Sequence, residues 1–166
     1  SLSTYESAVA AIVLEKPVTL RSVHGVTNCI ISQPGGKRSL FLYHPEATVA
    51  DITVTASSAS GAYASGMGAY MYQGVLTNCV FHSIYAGGWG GAICMTGGKV
   101  LDCHFYNNRA NEWQLGYGGG IYIENYSSYG VPLVDRCRIE RNQSWGTKGG
   151  GGGIYMKAGV IRNSLI

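Results

Sequence analysis

Apolar and polar positions in this chain recur within a repeating unit of about 25 residues, with no single helical or strand period running throughout. Two near-copies show it: Val26-Thr27-Asn28-Cys29-Ile30-Ile31 and Leu76-Thr77-Asn78-Cys79-Val80-Phe81. With the cysteine as position zero, four more copies fall at 49–54, 100–105, 134–139 and 161–166. Position zero holds Cys29, Ile52, Cys79, Cys103, Cys137 and Ser164, all small or apolar. Three residues earlier stand Val26, Val49, Leu76, Val100, Val134 and Ile161, and two residues later Ile31, Val54, Phe81, Phe105, Ile139 and Ile166. The position before zero is polar in every copy: Asn28, Asp51, Asn78, Asp102, Arg136 and Asn163. A second unit with period-two alternation precedes four of the copies, as in Gly91-Ala92-Ile93-Cys94-Met95 and Gly119-Gly120-Ile121-Tyr122-Ile123, and reads as a short strand. Aligned on its first glycine, its outward positions are Met71, Cys94, Tyr122 and Tyr155.

The zero positions are 23, 27, 24, 34 and 27 residues apart. That is the length of a coil holding three short strands and three turns, the period of a parallel β-helix. Equivalent residues on successive coils would sit ~4.8 Å apart, so like side chains stack into ladders. The polar column fits a tight corner, where Asn adopts the left-handed conformation and bonds its neighbours above and below. The expectation is an all-β, right-handed parallel β-helix solenoid of about six coils over residues 1–166. Residues 1–22 form the N-terminal cap and first coil, and 23–166 the repeat coils. Helical periodicity, which a leucine-rich solenoid needs, is absent.

Composition sharpens this picture in two ways. The 25 glycines show no three-residue period, which excludes collagen, and 46% hydrophobic residues with a charge of only +3 exclude disorder. The basic residues are scattered rather than clustered, so nucleic acid is not an expected partner. No apolar run approaches the ~18 residues of a membrane helix.

The phrase Lys16-Pro17-Val18-Thr19-Leu20-Arg21-Ser22, followed by coils carrying Gly-Gly-Ile-Tyr and Asn-Cys-x-Phe, resembles bacterial right-handed β-helix repeat proteins of the pectin-lyase-like superfamily. Gly90-Gly91-Ala92-Ile93 and Phe105-Tyr106-Asn107-Asn108 are similar to the two motifs of the polymorphic outer-membrane protein adhesins; the second departs after Phe81, where Ile84 replaces the asparagine. The resemblance implies a secreted or cell-surface location, and a superfamily that includes lyases, hydrolases and adhesins alike.

Candidate chemistry is sparse. Four cysteines fall in the inward zero column, where buried thiols serving as small stackers are favoured over disulfides. No C-x-x-C spacing points to a metal, and no cofactor is expected. The strand led by glycine offers one outward carboxylate, Glu124, without the partner that glycoside hydrolysis needs. Asp135, Glu140, Arg138 and Arg141 read as a solvated charge cluster, and His24, His44, His82 and His104 occupy different columns. Trp89, Trp113 and Trp145 each lie 8–10 residues after a zero position, on loops that should emerge on one side. With Tyr122 and Tyr155 stacked beside them, they are the candidate ligand-binding residues, suited to a polysaccharide or surface glycan.

Two expectations concern the ends. Ser3-Thr4-Tyr5-Glu6 could cap a short helix through Ala11, and Ile166 falls on a core position in mid-coil, as in a fragment or a copy that stacks end to end. The functional expectation is a non-catalytic scaffold for adhesion or glycan contact. The alternatives are a polysaccharide lyase or hydrolase, and a structural filament subunit.

Overall fold

Short β-branched and aromatic segments interrupted every few residues by Gly, Asn or Asp cannot build long strands. They can build many short ones joined by tight corners. The computed structural model describes residues 10–33, 36–55, 58–59, 64–111, 116–124, 127–147 and 149–166, with backbone alone at 58, 59 and 127. Its strands stack in parallel into four sheets that form the faces of a solenoid.

The first face has six strands, from Ala10–Leu14 through Arg38–Leu42, Ala69–Met71, Ile93–Met95 and Ile121–Ile123 to Ile154–Met156. The second, also six-stranded, runs from Thr19–Arg21 to Val160–Arg162. The third runs from Ile30–Ser32 to Arg138–Glu140, and a narrow fourth face is built from two-residue strands such as Tyr85–Ala86 and Arg109–Ala110. The coil therefore has four sides, where the repeat length predicted three. The extra side was hidden because two-residue strands are too short to show an alternation.

Each corner carries its own column of left-handed residues. Between the first and second faces stand Gly74, Gly98, Gly130 and Gly159; between the second and third, Asp51, Asn78, Asp102, Arg136 and Asn163. Ser83, Asn107 and Arg141 turn the third face into the fourth, and Gly66, Gly90, Gly118 and Gly151 lead back to the first. The paired glycines thus have separate causes. Gly90 and Gly118 supply positive φ, whereas a Cβ on Gly91 or Gly119 would run into a carbonyl of the coil above.

Inside, the ladders meet as one core. Val49, Leu76, Val100 and Val134 are in register and fully buried, as are Val54, Phe81 and Phe105. The two phenylalanine rings lie 5.2 Å apart and 13° from parallel. Cys79, Cys103 and Cys137 are 1–3% exposed and reduced, Ile52 is buried beneath them, and Cys29 and Ser164 are half-buried at the column's ends. The Cys79 amide donates to Cys103 Sγ at 3.4 Å, and the Cys137 amide to Ser164 Oγ at 3.1 Å. Burial pushes the Cys103 thiol well above its ordinary range.

The structure corrects four expectations. In the first coil Leu20, not Val26, pairs with Val49, because 22–28 inserts an extra turn before Cys29. Asn28 accordingly leaves the polar column: it is not left-handed, and its amide donates to His24 O within that turn. On the first face Tyr70, not Met71, pairs with Cys94, and Met71 is fully buried in the core. The expected helix through Ala11 gives way to strand from Ala10 onward, while residues 1–9 lie outside the described residues.

A second asparagine ladder turns the corner after the third face. Asn108 Nδ2 donates to Phe81 O at 2.9 Å and to Asn142 Oδ1 at 3.0 Å, and Asn142 Nδ2 donates to Phe105 O at 3.1 Å. At the corner before the third face Asn78 Nδ2 donates to Asp51 Oδ1 at 2.7 Å. Replacing Asn78 by Ala should cost about 1–2 kcal/mol, since alanine tolerates φ near 48° poorly. N78G, which keeps the corner and loses only the bond, should lie between the variant and the parent. Urea midpoints check this order; equal midpoints for N78A and the parent would contradict it.

Candidate functional site

The outward column of the first face is Phe41, Tyr70, Cys94, Tyr122 and Tyr155, in register over five coils. Residues just beyond and just before these strands widen the column into an aromatic belt. At one end the Phe41 and Tyr70 rings stack at 6.2 Å, and Tyr72 contacts both. Tyr72 also meets Tyr43 at 5.7 Å and Tyr129 at 4.8 Å. At the other end Tyr122 and Tyr155 stack at 5.7 Å and 1° from parallel, and Tyr117 packs on Tyr155 at 4.3 Å. The spine of the belt is buried at Phe41, Cys94 and Tyr122, while Tyr43, Tyr70, Tyr72, Tyr117, Tyr129 and Tyr155 are half-buried along its flanks.

This placement changes the predicted binding residues. Tyr122 is only 1% exposed and is no open platform. Trp89 folds back over it, with ring centroids 5.1 Å apart, so the first of the tryptophan loops plugs the face instead of projecting from it. Tyr155 keeps a half-exposed ring. Trp145 is 57% exposed, but on the fourth face, where it covers the Arg109 guanidinium. Trp113 lies outside the described residues. The sequence reading missed Tyr70, Tyr72, Tyr43 and Tyr129, because the glycine-based alignment was one residue out of register at Tyr70.

Charged groups edge the belt. The Arg38 guanidinium sits 4.7 Å from the Tyr70 ring centroid. Lys157 Nζ lies 5.7 Å from the Tyr122 ring centroid and pairs with Glu124 at 2.8 Å; Tyr122 Oη donates to Glu124 at 3.1 Å. Beside Tyr129 the belt opens into a cleft of about 320 Å³, lined also by Gln73, Lys99 and Val131 at the corner toward the second face.

Among the described residues, Asp51, Asp102, Asp135 and Glu140 are tied to cations or amides. Arg136 bonds both oxygens of Asp102 and also reaches Asp135, which takes further bonds from Arg162 and Asn163. Arg136 holds the Asp102 carboxyl below its ordinary range, and the Asn163 amide leads the same effect at Asp135. Asp51 is lowered chiefly by Asn78, and Glu140 by Arg138. Asp102 and Asp135 are close in space, yet neither retains the proton that a general acid must donate. Asp135 is also buried, so the expected solvated cluster holds only for Glu140 with Arg138.

The histidines need a further correction. His82 and His104 both pack on Tyr106, at 4.9 and 4.8 Å, and His104 pairs with Glu140 at 2.9 Å. Different columns on one face proved compatible with contact. Among the described residues no group of three His, Cys, Asp or Glu side chains is placed to hold a metal ion.

Burial pushes the Tyr122 phenol up to about 12 from the ordinary ~10. Its folded-state value is raised, so the stability tied to the neutral phenol is complete below pH ~10 and is lost as pH rises toward 12. An ultraviolet phenolate titration of the folded protein should show a step near pH 12 that is missing in Y122F. Loss of amplitude in Y122F from the main step near pH ~10 instead would place Tyr122 in solvent.

No curated protein and no solved structure matches the chain. A family model described as a right-handed β-helix region matches residues 18–166. That span takes in every coil from the second-face strand Thr19–Arg21 onward, and therefore the belt and the corner ladders. Parallel faces stacked coil on coil, and a family match over most of the length, lead to one conclusion: the chain belongs to the right-handed β-helix family.

Proposed function

We propose that this chain is a non-catalytic scaffold, exported to a bacterial surface or beyond, that holds an extended polysaccharide along the outside of its first face. The observation that carries the reading is the aromatic belt. Its rings form two groups, one on each side of Cys94, carried on strands that stack at the ~4.8 Å spacing of a parallel sheet. Half-buried tyrosine rings suit pyranose faces, because each ring offers an apolar surface at little cost in side-chain entropy. Rings packed on one another and on a buried spine are already fixed before a ligand arrives, which lowers the ordering cost of binding. The cleft beside Tyr129 extends the belt with Gln73 and Lys99, whose polar groups can meet sugar hydroxyls.

Catalysis is the less favoured reading for a specific reason. Among the described residues, the carboxylates whose proton affinity departs from normal are all shifted toward the ionised form. A lyase or hydrolase would need another source of protons.

Glycan-array binding by the intact chain, followed by affinity measurement, tests the proposal. Y43A/Y129A removes two flanking rings without opening the core, and should weaken binding at least tenfold while circular dichroism stays unchanged. That loss corresponds to about 1.4 kcal/mol, within the range for aromatic contacts. Undiminished affinity in the folded double variant, or new reducing or unsaturated ends in the bound polymer, would overturn it.

A further inference from the structure

Two pairs of tyrosines in the belt meet more closely than the rest, and at an angle. The ring centroids of Tyr117 and Tyr155 lie 4.3 Å apart with 37° between their planes. Those of Tyr72 and Tyr129 lie 4.8 Å apart at 56°. Aromatic pairs ordinarily settle at ~4.5–7 Å, so both stand at or inside the close limit. Tyr122 and Tyr155, by contrast, lie face to face at 1°. A tilt between parallel and perpendicular turns the edge of one ring toward the other. Two phenols joined by a carbon–carbon bond take the same tilt, because the groups beside that bond clash when the rings are coplanar.

The backbone holds both pairs in place. Tyr117 forms a parallel bridge with Gly150, and its carbonyl accepts from the Gly90 amide; Tyr155 is in register with Tyr122. Tyr129 closes the short helical turn Ser127–Tyr129 after strand Ile121–Ile123, yet its ring reaches Tyr72 two coils away. The coil between them is pared to glycine at Gly97, where a Cβ would collide with the carbonyls of both tyrosines. All four rings are half-buried and so remain open to a small oxidant. The thiols that would intercept it are withdrawn: Cys79, Cys94, Cys103 and Cys137 are only 1–3% exposed. All five cysteines are reduced, so no disulfide joins one coil to another.

We propose that Tyr117–Tyr155 and Tyr72–Tyr129 are sites of oxidative cross-linking to dityrosine, driven by hydrogen peroxide through an oxidant of the peroxidase class. Each phenol loses one electron and its hydroxyl proton. The two phenoxyl radicals join through the ring carbons next to oxygen, forming one carbon–carbon bond. The hydrogen on each joining carbon moves to oxygen and restores the hydroxyl. The two electrons and two protons released reduce one peroxide to two waters. One link ties neighbouring coils, and the other spans the coil of Gly97, where cysteines are not available to do so. Neither pair needs a ligand, so the chemistry stands whether or not the belt holds a polysaccharide.

Dilute monomer treated with a haem peroxidase and hydrogen peroxide should gain dityrosine fluorescence without dimerising. Peptide mass spectrometry should find the two pairs, each short of two hydrogens, at least about tenfold over any other tyrosine pair, because held reactants outcompete diffusing ones. The same treatment in urea should erase that preference. Y155F should remove the first link and leave the second, and Y129F the reverse, while both variants keep their rings and packing. The treated parent should unfold at a higher urea midpoint than the untreated one, since a cross-link restricts the unfolded chain. Treated Y155F/Y129F should gain nothing. Folded monomer that gives no dityrosine, gives only dimers, or spreads its links evenly over other pairs would overturn the assignment. A link at one pair alone would overturn the other.

Discussion

Parallel backbone pairing between successive coils is the constraint from which the other features of this molecule follow. Each strand residue meets its counterpart ~4.8 Å above and below, so any side chain must tolerate a similar one on either side. Two magnitudes divide the labour. A backbone hydrogen bond nets only about 0.5–1.5 kcal/mol, whereas truncating a buried phenylalanine costs about 3–5 kcal/mol. Burial of columns such as Phe81 and Phe105 therefore supplies the stability, and the backbone ladder supplies the register. The corners make that register possible: four columns of left-handed residues turn the chain at matched places in each coil.

The same constraint shapes the outside. Stacking like charges at ladder spacing would be repulsive, and the corner before the third face avoids this by interleaving signs. Arg21 meets Asp51, Arg136 meets Asp102 and Asp135, and Arg162 meets Asp135 again. These carboxylates are spent on neutralising their neighbours, which is why they hold their charge and offer no proton. Aromatic rings stack without that penalty, so an outward tyrosine on one coil favours another above it. The belt on the first face is the result, and its rigidity comes from the fold rather than from a ligand.

Much of this was legible in the residues, but unevenly. The columns at Val49, Cys79 and Phe105 follow from spacing alone, because an inward ladder must match in size and polarity. Three features were out of reach for physical reasons. The extra turn at 22–28 puts Leu20 where Val26 was expected, since a local insertion shifts sequence without shifting the stack. Tyr70 was displaced by one because the glycine used as a marker, Gly68, aligns with Ala92 rather than Gly91. Tyr122 points outward as expected, yet Trp89 covers it. Whether an outward residue is exposed depends on how a long loop folds back, and that leaves no periodic trace.

Coil-on-coil pairing buries one vertical column of thiols. Reaction of the native chain with a water-soluble thiol reagent, read site by site by mass spectrometry, tests it most directly. Cys29, half-exposed at the column's end, should be labelled first, with Cys79, Cys103 and Cys137 protected until the chain unfolds. Rapid labelling of all three in the folded chain would contradict the stacked register and the belt that depends on it.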